Sequence, residues 1–152
     1  MILDRSMSFD GPNFVPVTTT RDSTDVLDVG SNRDAGSGGG LYLLILSNRA
    51  FAGGTSVTIA MQGAPDNGSG GEGTYVTYAQ SPAITTANLN AVPGMLFPIN
   101  LPRQPFGTVI PRFLKLVYTV VGTFTAGALA ASLLRNRDDA ANYPGAVVMA
   151  GV

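Results

Sequence analysis

Histidine, cysteine and tryptophan are all absent from the 152 residues. Histidine is the usual general base near neutral pH and the commonest metal ligand, and cysteine supplies thiolate nucleophiles and soft metal ligands. Their absence excludes catalytic triads, thiol enzymes and zinc sites of the familiar kinds. Carboxylates, serines, tyrosines and one lysine, Lys115, remain. No catalytic, cofactor-binding or metal-binding residue is expected, and no disulfide can brace the domain.

Charge is the next scarcity. Charged residues make up 12% of the chain and the net charge is -1, against a usual charged share of about 25%. Nine Lys and Arg against ten Asp and Glu leave no basic excess for tracking a phosphate backbone, so nucleic acid is not an expected partner. A surface this poor in charge is weakly protected against association, which suggests that part of it is covered in the working state. The longest strongly apolar run, Leu41 to Leu46, is far too short for a membrane-spanning helix. Asp4 and Arg5 interrupt the start before an apolar run develops. A protein with no export signal, made in a cytoplasm and not bound to membrane, is expected.

What the chain has instead is glycine (19), proline (10) and many Thr, Ser and Asn, a composition that suits turn-rich β structure. Short extended runs alternate with turn chemistry throughout. Strands are expected at Val15–Thr20, where Pro16 suggests an edge or a strand start, and at Asp25–Val29. Leu41–Leu46 is apolar throughout, as in a strand buried on both faces. Ser56–Gln62 alternates, with Val57, Ile59 and Met61 facing inward. Further strands are expected at Thr74–Tyr78 and Met95–Asn100, separated by a loop at 83–94 with room for a short helical turn.

Arg112–Val121 is the clearest element. Leu114, Leu116, Tyr118 and Val120 share one face, while Phe113, Lys115, Val117 and Thr119 share the other. Residues 125–134 are ambiguous: alanine favours a helix, the preceding hairpin and Gly127 favour a strand, and strand is preferred. The tail from Arg135 contains a charged turn and an apolar end, Ala146–Val152, which either completes the sheet or reaches another subunit. Roughly eight short strands with no internal repeat give one all-β domain, leaving sandwich, jelly roll and barrel open.

Local motifs point to turns. Gly68, Gly70 and Gly73 have dinucleotide-loop spacing, but the following residues, Thr74–Tyr78, are strand-like, so no helix N-terminus is available for a phosphate. They read as a flexible tip. Asp66 and Glu72 bracket it, yet glycines occupy the alternate positions a calcium loop needs for oxygen ligands; solvated loop charges are the simpler reading. Asp25, Asp28, Asp138 and Asp139 fit turn or cap roles. Lys115 fits a snorkelling residue better than a catalytic dyad. Asn67-Gly68-Ser69 matches a glycosylation sequon without an export signal to give it meaning.

Several ordered segments carry a resemblance: Met1–Asp4, Asp25–Gly30 leading to Arg33–Gly36, Leu41–Leu43, Pro111–Val120 and Phe124–Leu129. In sequence and spacing the chain resembles the capsid cement (decoration) proteins of short-tailed phages, the family typified by the Bordetella phage cement protein. The likeness runs through most of residues 1–134 and does not extend to the tip at 63–73 or the tail after Arg135. It implies a jelly-roll-like antiparallel β-sandwich on the outer surface of a phage head. It also implies a homo-oligomer, dimer or trimer, that bridges neighbouring major capsid proteins. On that reading the oligomer contact falls to an outward sheet face, and the capsid contact to the termini and long loops. The competing class is a receptor- or carbohydrate-binding module of a tail spike; the five tyrosines, Tyr42, Tyr75, Tyr78, Tyr118 and Tyr143, do not cluster in one loop to support it.

Overall fold

A computed structural model describes residues 5–30, 41–91, 94–99 and 111–134. After a single 3-10 turn, Arg5–Met7, the chain forms β1 (Ser8–Pro16), β2 (Arg21–Asp22), β3 (Leu27–Asp28), β4 (Leu41–Ala52) and β5 (Ser56–Ala64). It continues through β6 (Val76–Gln80), β7 (Ile84–Thr85), helix α1 (Thr86–Ala91), β8 (Gly94–Ile99), β9 (Phe113–Val121) and β10 (Ala126–Leu134).

A strand that is apolar on both faces needs neighbours and cover on every side. The two such runs, now β4 and β9, each lie inside a sheet. The first sheet has the order β1-β10-β4-β8 and the second β2-β9-β5-β6, with β3 also on β9 and β7 on β5. Every pairing among the described residues is antiparallel. Because β2 and β3 follow one another along β9, and β7 and β6 along β5, each sheet has four strand positions among the described residues, interleaved as in a jelly roll.

The inner faces meet in one core. Phe9, Leu43, Ile45, Leu129 and Leu133 come from the first sheet; Val57, Ile59, Met61, Leu114, Leu116 and Tyr118 come from the second. Burying each Leu, Ile or Met contributes roughly 1.5–3 kcal/mol. The inward direction expected for Val57, Ile59 and Met61 holds, as does that of Leu114, Leu116 and Tyr118, with Val120 packed at the margin. No helix among the described residues is long and apolar enough to cross a membrane.

Several boundaries differ from the sequence pattern: β4 runs on from Leu46 to Ala52 and β5 from Gln62 to Ala64, and four other strands shift more instructively. The strand expected over Val15–Thr20 instead runs from Ser8 to Pro16 and stops. Val17 N–H donates to the Gly127 carbonyl and Phe124 N–H to the Thr18 carbonyl, so the β9–β10 connection claims this backbone. Gly11, Pro12 and Phe14, the last at a φ of 45°, hide the real strand from a propensity reading. Pro16 does lie on an edge, since β1 ends its sheet. The strand at Asp25–Val29 contracts to Leu27–Asp28, where the Asp28 carboxylate accepts a bond from Gly30 N–H and turns the chain. The strand at Thr74–Tyr78 moves forward to Val76–Gln80. Met95–Asn100 is β8, beginning one residue earlier at Gly94.

The alanine-rich segment is strand β10, buried from Gly127 to Leu134. Alanine prefers helix, but β1 on one side and β4 on the other supply partners for both backbone edges, and tertiary pairing overrides propensity. The short helical turn allowed for in 83–94 is α1. The opening Met1–Leu3 and everything from Arg135 onward lie outside the described residues.

Candidate functional site

Three groups of polar side chains and one charge-free end organise the surface of this sandwich. The first group ties the sheets together. Asp10 on β1 is completely buried, which an unpaired carboxylate could not tolerate. It accepts from Arg21 through both oxygens, with Nη1 at 3.2 Å and Nη2 at 3.1 Å. Thr24 adds its N–H at 2.9 Å and its hydroxyl at 2.8 Å. The Tyr118 hydroxyl donates from the second sheet at 2.6 Å, and the Arg21 guanidinium lies 4.8 Å from that ring's centroid. Burial, then the Asp10 charge, push the Tyr118 phenol well above its ordinary pKa, so it remains a donor across the physiological range. The carboxylate has five donors and no free lone pair of consequence. This is a structural clasp, not a proton-transfer site.

The second group fixes the glycine-rich tip. Asp66 Oδ1 accepts from Gly68 N–H at 2.7 Å and Gly70 N–H at 3.0 Å. Asn67 Oδ1 accepts from Ser69 N–H at 2.8 Å and Gly71 N–H at 3.2 Å. Gly68 and Gly70 have φ of 88° and 81°, conformations open chiefly to glycine. Arg112 anchors the base, its fork reaching Asp28 through Nε at 3.0 Å and Nη2 at 2.9 Å while Nη1 contacts Asp66. The tip read from sequence as flexible is therefore a braced turn, and Asp66 is a cap and ion-pair partner. Glycine spacing alone conceals this, because the bracing arginine lies 46 residues away.

Both carboxyls are held below the ordinary value of 3.8. For Asp28 the main cause is hydrogen bonding from Arg112, then from Gly30 N–H; for Asp66 it is Gly70 and then Gly68 N–H, with Arg112 secondary. A carboxyl lowered in the folded state adds stability that is complete above its unfolded pKa and disappears as pH falls through the folded one. The tip is accordingly expected to hold its conformation near neutrality and loosen only in acid below about pH 4. Carboxyl-carbon NMR titration of Arg112→Met should raise the Asp28 midpoint more than the Asp66 midpoint. Equal movement of both would show that the glycine amides do not control Asp66.

The third group lies on the outer face of β9. Lys115 Nζ donates to Asp22 at 2.6 Å and sits 4.1 Å from the Tyr75 ring centroid. The snorkelling role expected from sequence is filled, with a specific acid and an aromatic face as its destination. Burial, then Glu72, raise the Tyr75 phenol above its ordinary pKa.

The remaining feature is an end without charge. The connections at 17–20, 53–55, 81–91 and 122–125 contain no Asp, Glu, Lys or Arg. Strand register brings them together: Ser56 pairs with both Val121 and Thr85, and Ala52 with Ala126. They are braced from within. The Asn90 amide accepts from Phe51 N–H at 2.7 Å and donates to its carbonyl at 3.0 Å. The Thr86 hydroxyl donates to the Gly54 carbonyl at 2.7 Å. The Phe124 ring covers Gly54 and meets Phe51 edge to face with centroids 5.1 Å apart.

Among the described residues no three acidic side chains converge as a metal would need. Asp25 is exposed beside this framework, and Asp138 and Asp139 lie outside the described residues. A comparison with curated proteins finds no match. A family model, Bbp16, matches residues 15–133, which run from the end of β1 through all but the last residue of β10 and include all three polar groups except Asp10. The chain belongs to the Bbp16 family, a Bordetella phage protein family of structural character.

Proposed function

We propose that this protein is a virion cement protein that binds the outer surface of a phage head and stabilises it by bridging major capsid proteins. Membership of a phage structural family across residues 15–133 carries the reading. The physical character of the domain supports it. A cement needs complementary surface and rigidity, and here a buried ionic clasp joins the sheets while the long tip is braced by Arg112. Binding the closed shell in preference to its loosened form stabilises the shell by mass action. Many copies acting together multiply a modest contact energy, the more so if each unit is a homo-oligomer.

The outward sheet face considered for self-association includes Val117 and Thr119 of β9, opposite Ala60 and Thr58 of β5. Val117, Thr119 and Thr58 carry no charge, and the Lys115–Asp22 pair on the same face neutralises itself, which suits contact between copies.

The test adds purified protein to capsids that lack it and follows heat disruption of the shell. Capsids carrying the protein should break at a higher temperature, with bound copies comparable in number to the major capsid protein. Failure to sediment with capsids would overturn the reading. A few copies confined to the tail would instead favour a receptor- or carbohydrate-binding spike module.

A further inference from the structure

Charge is distributed unevenly along the sandwich. Asp28, Asp66, Glu72 and Arg112 gather towards one end, whereas the four connections at the other carry none. That charge-free end is not hidden by the described residues: Val121 is 54% exposed, and Thr19, Thr55, Ala87 and Thr123 are exposed as well. An exposed loop cluster without charge has little to keep it from associating.

We infer that this end is a docking surface for a neutral, hydrogen-bonding protein surface. Resting on the capsid reading above, that partner is the outward face of the major capsid protein. The four connections carry no cation to hold nucleic acid or anionic lipid, exposed Arg49 standing back on β4 three residues before Ala52, and interface centres are depleted in charge in the same way. Threonines offer a donor and an acceptor on a side chain already restricted at χ1, so little rotamer freedom is lost on contact. The Asn90 clamp and the Phe51–Phe124 pair hold the loops in place beforehand, which removes the ordering cost of binding. This assigns the capsid contact to the short, braced connections rather than to the 65–73 tip.

The experiment uses the full chain and capsids assembled without it, measuring co-sedimentation. Ala87→Glu and Thr123→Lys each place a charge on the docking end at an exposed position, and Ser69→Lys does so on the tip as a control. Unchanged thermal melting verifies that each variant is folded. Ala87→Glu and Thr123→Lys should each weaken capsid binding by at least about ten-fold, with Ser69→Lys close to wild type. Wild-type binding should fall less than about two-fold between low and moderate salt, unlike a charge-driven contact. Binding that survives both loop-end charges, or that collapses with salt, overturns the docking end while leaving the capsid reading intact. If wild type does not bind capsids at all, both fall.

Discussion

Asp10→Ala is expected to destabilise the domain by about 3–5 kcal/mol, the range seen when one partner of a buried ion pair is removed. For a domain of this size that lowers the melting temperature by roughly 10 °C. The reason lies in what is left behind. Arg21 loses both carboxylate contacts, and Tyr118 is left with a buried hydroxyl whose donor has no acceptor. The converse change should be mild. Tyr118→Phe removes one donor out of five, leaves Asp10 satisfied by Arg21 and Thr24, and should cost about 1 kcal/mol. Thermal or urea denaturation of the two variants measures both values. Melting of Asp10→Ala within about 2 °C of wild type would mean that the clasp does not hold the sheets together.

Gly127→Ala should be comparably severe, at about 3–5 kcal/mol when backbone strain and overpacking combine. Gly127 lies at φ 134°, which side chains rarely adopt, and an added Cβ would stand 2.3 Å from the Phe51 ring. That ring cannot step aside freely, because Phe124 packs edge-on against it and β4 carries its backbone in the Asn90 clamp. Shortening the obstacle tests the cause. In a double-mutant cycle, Phe51→Leu should recover part of the loss, so that the two changes are less than additive. Full additivity would assign the cost to the backbone alone.

These two sites also mark what sequence could and could not reveal. Where burial repeats every second residue, as in Val57, Ile59 and Met61 or Leu114, Leu116 and Tyr118, the pattern states both the strand and its inward face. Gly127 tipped an alanine-rich run towards strand, and the structure supplies the reason: a neighbouring ring fills the space its side chain would take. Asp10 was silent. It follows a phenylalanine on an irregular edge strand, and its partners stand 11, 14 and 108 residues away. No local spacing encodes such a meeting. The tip misled for the same reason, since glycine spacing suggests freedom while the restraint comes from Arg112 across the fold. The charge-free end was visible only as a general scarcity of charge until the strand register gathered its four connections.

The position of β10 has a consequence for how the molecule is made. It is the last described strand in the chain, yet it is inserted between β1 and β4 rather than added at an edge. Ser8 waits for Ser132, and Tyr42 for Leu134. During synthesis the second sheet can close once β9 has emerged, but the first has a gap one strand wide until the ribosome has released residues 126–134. Such long-range closure slows folding, and the two open strands flanking the gap invite pairing with other nascent chains. Completion of this sandwich is thus a late event, set by when residues 126–134 become available to fill the gap between β1 and β4.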